Sequence, residues 1–441
     1  MSYTFAMISL GCAKNLMDSE NMLYLLTEAG HSLVPDPEGA DFVLINTCGF
    51  IDSAKSEAID NILEMAQLKN EGKLKKIIVS GCLTERYREQ VREELPEVDA
   101  ILGVGSIGEI ADIVEKTMAE VRPAAFGDKN APMEEIGRVV STGPGWAYIK
   151  IAEGCDNRCA YCAIPDIRGK FRSRPLDAVL AEANELAERG VKELIVVAQD
   201  ITRWGVDIYG KPSLDKLLTE LSKTGCEWIR LHYLYPDEIT PELIDTIARE
   251  EKICKYLDIP IQHINTEILR RMNRRGTGEE IRALFRNLRE RIPGLVLRTS
   301  LIVGLPGEGE AEFEELCEFL REAKIERVGA FAFSPEEGTP AAEMTDRCDE
   351  DEAVRRQELV MELQADIMDE YNENRTGETL AVLCQGYDED SGLLWGRSYA
   401  DSPDIDGRVF FEGDAAPGEF TEVFVREVMD GELFGIQTQE K

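Results

Sequence analysis

Three cysteines, Cys155, Cys159 and Cys162, lie within eight residues in the stretch EGCDNRCAYCAIP. Reduced thiolates at this spacing are soft ligands that select zinc or an iron–sulfur cluster. A structural zinc site is normally closed by four ligands, and neither a fourth cysteine nor a histidine lies nearby in the sequence. We therefore expect a cluster that is held by three cysteines and leaves one iron open to another ligand.

A second trio, Cys12, Cys48 and Cys82, is dispersed along the chain but shares one local context. Each cysteine follows an apolar segment that we expect to be a strand, in ISLGCAKN, LINTCGF and IVSGCLTE. Carboxyl ends of parallel strands meet at one edge of a sheet, where open α/β sheets bind ligands. A single buried cysteine usually only packs. Three at matching strand ends, each beside a glycine that allows a tight turn, favour a shared metal centre.

Other segments carry weaker signals. Gln199 and Asp200 in VVAQD end a predicted strand, and they could contact a ligand or cap the strand end. The basic segment from Arg168 to Pro175, RGKFRSRP, either binds an acidic group or is a solvated loop. GVGSIG fits a dinucleotide-binding pattern, but a turn that leads into the next helix is the better interpretation. Packing roles are expected for the remaining cysteines, Cys226, Cys254, Cys317, Cys348 and Cys384.

The elements that must position these residues fall into three blocks. Residues 1–130 alternate apolar strands with helical patterns, which predicts a parallel α/β domain. Residues 141–374 contain six β/α repeats and a long charged helix, which indicates a partial (β/α)6 barrel, with chemistry at the carboxyl ends of its strands. Residues 376–441 show five short alternating strands and predict a small antiparallel barrel of the oligonucleotide-binding type.

The charge balance of the chain limits its partners. Its 441 residues carry 49 basic and 85 acidic side chains, a formal net charge of −36, and the last block alone carries −11. Such a field repels nucleic acid and suits a basic partner, although an acidic host proteome would explain the same balance. The eleven scattered cysteines indicate reduced thiols, and no leader or membrane-spanning run is recognisable. We therefore expect a cytoplasmic protein that does not associate with a membrane.

The contiguous trio resembles the signature of the radical S-adenosylmethionine (SAM) family, with Tyr161 before the last cysteine. In that family the open iron of a 4Fe–4S cluster binds the methionine part of SAM, which is then cleaved to a 5′-deoxyadenosyl radical. TSLIVGLPGE resembles the strand motif that lies against the adenosine of SAM. The resemblance implies SAM contacts from Tyr161, Gln199, Asp200, Ser300 and Gly304.

The two trios together, followed by a TRAM-like barrel, resemble the methylthiotransferases within that family, over essentially the whole chain. The segment SLGCAKNLMDSE is most similar to the RimO-type members. This resemblance implies two 4Fe–4S clusters and SAM as both methyl donor and radical source. It also implies an aspartate β-carbon of the basic small-subunit ribosomal protein S-twelve as the target, and an electron donor such as flavodoxin or ferredoxin.

Two other functions compete with this interpretation. A tRNA methylthiotransferase that acts on isopentenyl-adenosine is disfavoured by the acidic terminal block. An electron-transfer protein with two clusters is disfavoured by the open coordination positions and the SAM-like strand motifs.

Overall fold

The computed structural model describes residues 1–438 and therefore omits the last three residues of the predicted third domain. The chain forms two compact units. The first unit comprises Met1–Ser141, Ala152–Arg174 and Ser334–Ala342. The second comprises Thr142–Ile151, Pro175–Phe333 and Glu343–Lys441. The domain boundaries expected from the sequence stay a prediction.

The first 141 residues form a parallel sheet with helices on both faces. The strands and helices are β1 (Thr4–Ser9), α1 (Ala13–Glu28), β2 (Ser32–Leu33), β3 (Phe42–Thr47), α2 (Asp52–Asn70), β4 (Lys76–Gly81), α3 (Cys82–Glu94), β5 (Ala100–Leu102), a 3-10 helix (Val104–Glu109), α4 (Ile110–Met118) and β6 (Ala124–Ala125). The strand order is β2-β1-β3-β4-β5-β6, and every pairing is parallel.

Both faces of this sheet are buried, as expected for a central parallel sheet. Side chains alternate along β3, so that Val43 and Ile45 pack against α2 and α3. Phe42 and Leu44 face the other way and pack in the core that α1 and α4 complete. A one-residue slip of a strand would move each of its side chains to the opposite face and into the wrong core. Packing on both faces therefore fixes the register of the strands, and with it the residues that lie side by side where the strands end.

The middle of the chain contributes to both units. Its elements are β7 (Trp146–Lys150), β8 (Ala152–Glu153), α5 (Ile164–Arg168), β9 (Arg172–Ser173), α6 (Leu176–Glu188), β10 (Glu193–Val197), α7 (Val206–Tyr209), α8 (Leu214–Leu221), β11 (Trp228–Leu231), a 3-10 helix (Pro236–Glu238), α9 (Pro241–Arg249), β12 (Ile253–Asp258), α10 (Thr266–Arg271), α11 (Gly278–Arg291), β13 (Val296–Val303), α12 (Glu310–Ala323), β14 (Arg327–Ala332) and a 3-10 helix (Pro340–Glu343). In the second unit, β7 and β10 to β14 form a six-stranded parallel sheet in the order β14-β13-β12-β11-β10-β7. In the first unit, β8 pairs antiparallel with β9.

The last part of the second unit is a long helix followed by a closed five-stranded barrel. Its elements are α13 (Glu350–Glu373), β15 (Thr379–Asp388), β16 (Leu393–Arg397), β17 (Val409–Glu412), β18 (Phe420–Met429) and β19 (Glu432–Gln437). The barrel order is β15-β16-β17-β19-β18. Four of these pairings are antiparallel, but β17 pairs with β19 in parallel, because the chain passes through β18 before it returns beside β17.

The predicted fold class is confirmed: a parallel α/β sheet, a six-stranded parallel β/α sheet and a terminal barrel. In the part of the chain that the structure describes, no helix is both long enough and apolar enough to cross a membrane.

Candidate functional site

The dispersed cysteines lie at the carboxyl edge of three neighbouring strands in the first unit. The strands β1, β3 and β4 are adjacent, with Ser9 paired to Asn46 and Thr47 paired to Gly81. Cys48 and Cys82 therefore directly follow a matched pair of strand-end residues, and Cys12 follows β1. The order also reverses here, because the chain goes from β1 to β2 on one side and then to β3 on the other. Such a switch point is where open parallel sheets form a binding crevice.

Glycines shape this edge as the sequence predicted. Gly11 has a φ of +92°, and a Cβ placed on it would lie 2.9 Å from the Cβ of Cys48. Gly81 has a φ of +104°, and a Cβ there would overlap the carbonyl oxygen of Thr47. A Cβ added to Gly49 would lie 2.7 Å from the Cα of Leu83. A side chain at any of these positions would push the cysteine segments apart.

Buried polar side chains fix the backbone beneath the thiols. The amide of Asn46 donates to the carbonyl oxygen of Asn15 and to the Ser19 hydroxyl, both at 2.8 Å. The amide of Asn15 in turn donates to the carbonyl oxygen of Leu10 at 2.6 Å. These bonds join the turn before α1 to the end of β3, so Cys12 and Cys48 are held by one hydrogen-bonded network.

The three thiols differ in exposure and in acidity. Cys12 is exposed, Cys48 is half-buried and Cys82 is buried. Burial raises the pKa of the Cys82 thiol to about 12, and burial likewise raises the pKa of Cys48. Desolvation also acts on Cys12, but the charges of Lys14 and Arg168 together with backbone hydrogen bonds from Asn15 and Lys14 lower the pKa of that thiol. The ionised form of Cys12 raises the pKa of both other thiols, which places the three within electrostatic reach of one another.

Two buried charged side chains surround this edge. Arg168 lies only 3% exposed and donates to the Sγ of Cys82 at 3.3 Å. Glu336 accepts from Lys55 at 3.0 Å and from Arg86 at 2.9 Å, and Arg86 also donates to the carbonyl oxygen of Gly49. Both are far in sequence from the cysteines that they support.

The contiguous cysteines occupy the loop between β8 and α5 in the same unit. Cys159 is buried, whereas Cys155 and Cys162 are half-buried. The loop is closed at its start by the amide of Cys155, which donates to the carbonyl oxygen of Gly169 at 3.1 Å. At its end, the amide of Cys162 donates to the carbonyl oxygen of Cys159 at 3.0 Å. Tyr161 in this loop is half-buried.

Four of the proposed SAM contacts belong to the second unit. β10 ends at Val197, two residues before Gln199, and Asp200 accepts from the amide of Thr202 at 3.0 Å. The strand-end capping that the sequence left open is therefore present at Asp200. Ser300 lies half-buried in β13.

Gly304 follows β13 with a φ of +77°, and a Cβ there would lie 2.6 Å from the Cβ of Ala353. Its amide donates to the buried carboxylate of Glu308 at 3.0 Å, and Arg356 donates to the same carboxylate at 2.8 Å. Desolvation opposes ionisation of Glu308, but His263 and these donors lower its pKa. Close packing against α13 thus requires a glycine here whether or not a ligand approaches.

Within residues 1–438, no three His, Cys, Asp or Glu side chains are arranged around a position for a single metal ion.

The sequence identified the cysteines but missed Asn15, Asn46 and Glu336, which have no distinctive spacing. It did mark the segment from Arg168 to Pro175. Arg168 and Arg174 are buried there at 3% and 7% exposure, so the solvated-loop alternative is wrong for both.

Comparisons with known proteins agree with this architecture. Residues 4–103 match the uncharacterized protein family UPF0004, residues 149–320 the radical SAM superfamily, and residues 376–437 the TRAM domain. A solved structure of the radical SAM methyltransferase TsrM from Kitasatospora setae has a TM-score of 0.57 and 15% identity, covering 77% of this chain and 74% of that chain. This likeness concerns the fold.

Curated relatives are similar over nearly their whole length. The ribosomal protein uS12 methylthiotransferase RimO of Lachnoclostridium phytofermentans is 48% identical, covering 97% of this chain and 98% of the relative. The protein of the same name from Pelotomaculum thermopropionicum is 46% identical over 99% of both chains. The chain therefore belongs to the radical SAM methylthiotransferase family of the RimO type.

Proposed function

We propose that this protein adds a methylthio group to the β-carbon of an aspartate in ribosomal protein uS12. The observation that carries the proposal is the presence of two cysteine trios in one compact unit of a chain that is 48% identical to a uS12 methylthiotransferase. The proposed substrate is a ribosomal protein, so the proposed reaction takes place in the cytoplasm.

Each trio would hold one 4Fe–4S cluster, with Cys12, Cys48 and Cys82 in the first and the contiguous cysteines in the second. The donor chemistry fits, because soft thiolates are the ligands of iron–sulfur clusters, and three of them leave one iron open. When bound, SAM supplies a methyl group and, at the second cluster, a radical that can remove hydrogen from an unactivated carbon.

The chain's own residues would orient SAM and keep water away. We assign SAM contacts to Tyr161, Gln199, Asp200, Ser300 and Gly304. Glu308 supports this role indirectly, because its carboxylate holds the amide of Gly304 and fixes the turn after β13. Cys82 and Cys159 are buried, so one thiol of each trio is kept away from solvent. Excluding water at these positions would protect a reactive intermediate from side reactions.

Charge favours a basic protein over RNA as the substrate. The segment from Thr376 to Lys441, which includes the terminal barrel, contains 15 acidic and 4 basic residues. A polyanion loses affinity on such a surface, whereas a lysine- and arginine-rich ribosomal protein gains it at low salt. The electrons would come from a small carrier of the flavodoxin or ferredoxin kind.

The deciding experiment is anaerobic reconstitution of the full chain with iron and sulfide, followed by incubation with SAM, a reductant and uS12. Mass analysis should show one added methylthio group on a single aspartate of uS12. The triple variant Cys12→Ala, Cys48→Ala, Cys82→Ala provides the control and should leave uS12 unmodified.

Unmodified uS12 with the loaded wild-type protein would contradict the proposal. Methylthiolation of tRNA in a parallel incubation would replace it with the tRNA-modifying alternative. Binding of uS12 that weakens between two salt concentrations, with no binding of tRNA at either, would support the role assigned to the acidic charge.

A further inference from the structure

The strongest unassigned feature of the first unit is the buried guanidinium of Arg168. Its Nη1 donates to the carboxylates of Asp18 and Glu153, and its Nη2 donates to Asn15 Oδ1 at 3.1 Å and to Cys82 Sγ at 3.3 Å. The side chain is 3% exposed. Two carboxylates balance the cost of burying this cation, so it is held as a charged group.

The position of Arg168 connects the two cysteine trios. It ends α5, six residues after Cys162, and it contacts Glu153, two residues before Cys155. Through Asn15 and Asp18 it contacts α1, which begins directly after Cys12. One side chain therefore contacts elements that flank both trios and one candidate ligand of the dispersed trio.

The geometry around Nη2 directs a donor at the sulfur of Cys82. A guanidinium is planar and presents its donors in fixed directions. Asn15 Oδ1 accepts from Nη2, and the pairing of Nη1 with Asp18 fixes the plane from the other side. The second N–H of Nη2 then points at the Cys82 sulfur. This arrangement defines one rotamer, so the contact does not depend on a flexible surface side chain.

We propose that Arg168 is a positioning residue that joins the two cysteine-bearing segments and raises the reduction potential of the cluster held by Cys82. The inference rests on the proposed function, because it requires a cluster at the dispersed trio. A hydrogen bond and a positive charge at a ligand sulfur stabilise the reduced cluster, which carries one more negative charge.

The test uses the full chain with Cys155, Cys159 and Cys162 replaced by alanine, so that only the dispersed trio loads. In this parent, Arg168→Met removes charge and donors, and Arg168→Lys retains the charge without the planar geometry. Arg138→Met is the matched control, since Arg138 is also buried and pairs with Glu20 of the same helix α1 at 2.8 Å. Iron content, circular dichroism and a redox titration followed by electron paramagnetic resonance are measured for each.

We expect Arg168→Met to shift the midpoint to a more negative potential. The ratio of reduced to oxidised cluster at a fixed potential should fall about tenfold, which is about 59 mV for a one-electron couple. Arg168→Lys should recover part of the shift, and Arg138→Met should keep the parent potential.

Three results would overturn the inference: a parent-like potential in both Arg168 variants, an equal shift in Arg138→Met, or loss of the cluster from both Arg168 variants. The last result would assign Arg168 to assembly alone. A parent that binds no cluster would instead contradict the proposed function, so the two failures are distinguishable.

Discussion

The two cysteine trios of the first unit are built in different ways. Cys12, Cys48 and Cys82 are separated by 36 and 34 residues and come from three strand ends. Cys155, Cys159 and Cys162 lie within eight residues of a single loop. The dispersed site exists only when the parallel sheet has formed in register, whereas the contiguous site needs only a local loop conformation. Sheet-breaking changes should therefore separate the two sites experimentally.

The largest effect should come from removing one ligand of each trio. Cys159→Ala should abolish reductive cleavage of SAM, because the proposed radical site is lost. Cys48→Ala should keep SAM cleavage and lose methylthio transfer. Each variant should retain about half of the iron of the wild-type protein. Iron analysis, chromatography of 5′-deoxyadenosine and mass analysis of uS12 measure the iron content, SAM cleavage and methylthio transfer, respectively.

Cys226→Ala is the control for this pair, because Cys226 is a buried cysteine that belongs to the second unit, whereas both trios belong to the first. It should retain full iron and both activities. If Cys48→Ala lost SAM cleavage as completely as Cys159→Ala, the functional division between the trios would be wrong.

A smaller but selective effect is expected from Gly81→Ala at the end of β4. An alanine at positive φ costs about 1–3 kcal/mol, and here its Cβ would also overlap the Thr47 carbonyl oxygen. The displacement should widen the dispersed site and reduce its iron while the contiguous site still loads. Urea unfolding gives the stability, and iron content with SAM cleavage gives the site-specific loss.

Gly72→Ala is matched to this change, since Gly72 has a φ of +75° and no atom within 4 Å of an added Cβ. It carries the backbone strain without the overlap, so its iron content should stay at the wild-type level. Equal iron loss in both variants would argue against a register-dependent site.

Glu336→Gln should have an intermediate effect on the same site. The carboxylate is 2% exposed and binds Lys55 and Arg86, and Arg86 also donates to Gly49 beside Cys48. Loss of the charge-assisted bonds should cost about 1.5–3 kcal/mol. Denaturant unfolding measures this loss, and the adjacent exposed Glu337→Gln should leave the stability unchanged. A neutral result for Glu336→Gln would show that Arg86 holds the Cys48 segment without it.

The contrast between the trios also explains what the sequence could predict. Apolar runs of strand length located β1, β3 and β4, and the glycines beside the cysteines marked where the strands end. The meeting of Cys12, Cys48 and Cys82 at one edge of the sheet was therefore predictable, because parallel topology converts strand ends into neighbours. The parallel pairing of β17 with β19 was not predictable, because the alternation of apolar and polar residues along a strand does not identify the strand with which it pairs.

Side chains that contact the cysteine segments were harder to predict than the candidate ligands themselves. Arg168 and Glu336 act through contacts with residues 86 and 250 positions away, respectively. No local pattern separates such a residue from an ordinary surface charge, because burial of a charge is decided by tertiary packing. Asp200 is the opposite case, because it accepts a local hydrogen bond from the amide of Thr202, two residues further along the chain.

The smallest effect, without a change in stability, should appear in the reactivity of the cluster-free thiols of the dispersed trio. At pH 8 an alkylating reagent should modify Cys12 first and Cys82 last. Cys12 is exposed, and its pKa is lowered by the charges of Lys14 and Arg168 together with backbone hydrogen bonds, against the effect of desolvation. Cys82 has a pKa raised by burial to about 12, so roughly one molecule in ten thousand carries its thiolate at that pH. Labelling of Cys82 should accelerate as the pH rises, and peptide mass analysis follows each site separately. Equal rates at Cys12 and Cys82 in the native protein would mean that the three strand ends do not hold their thiols at different depths.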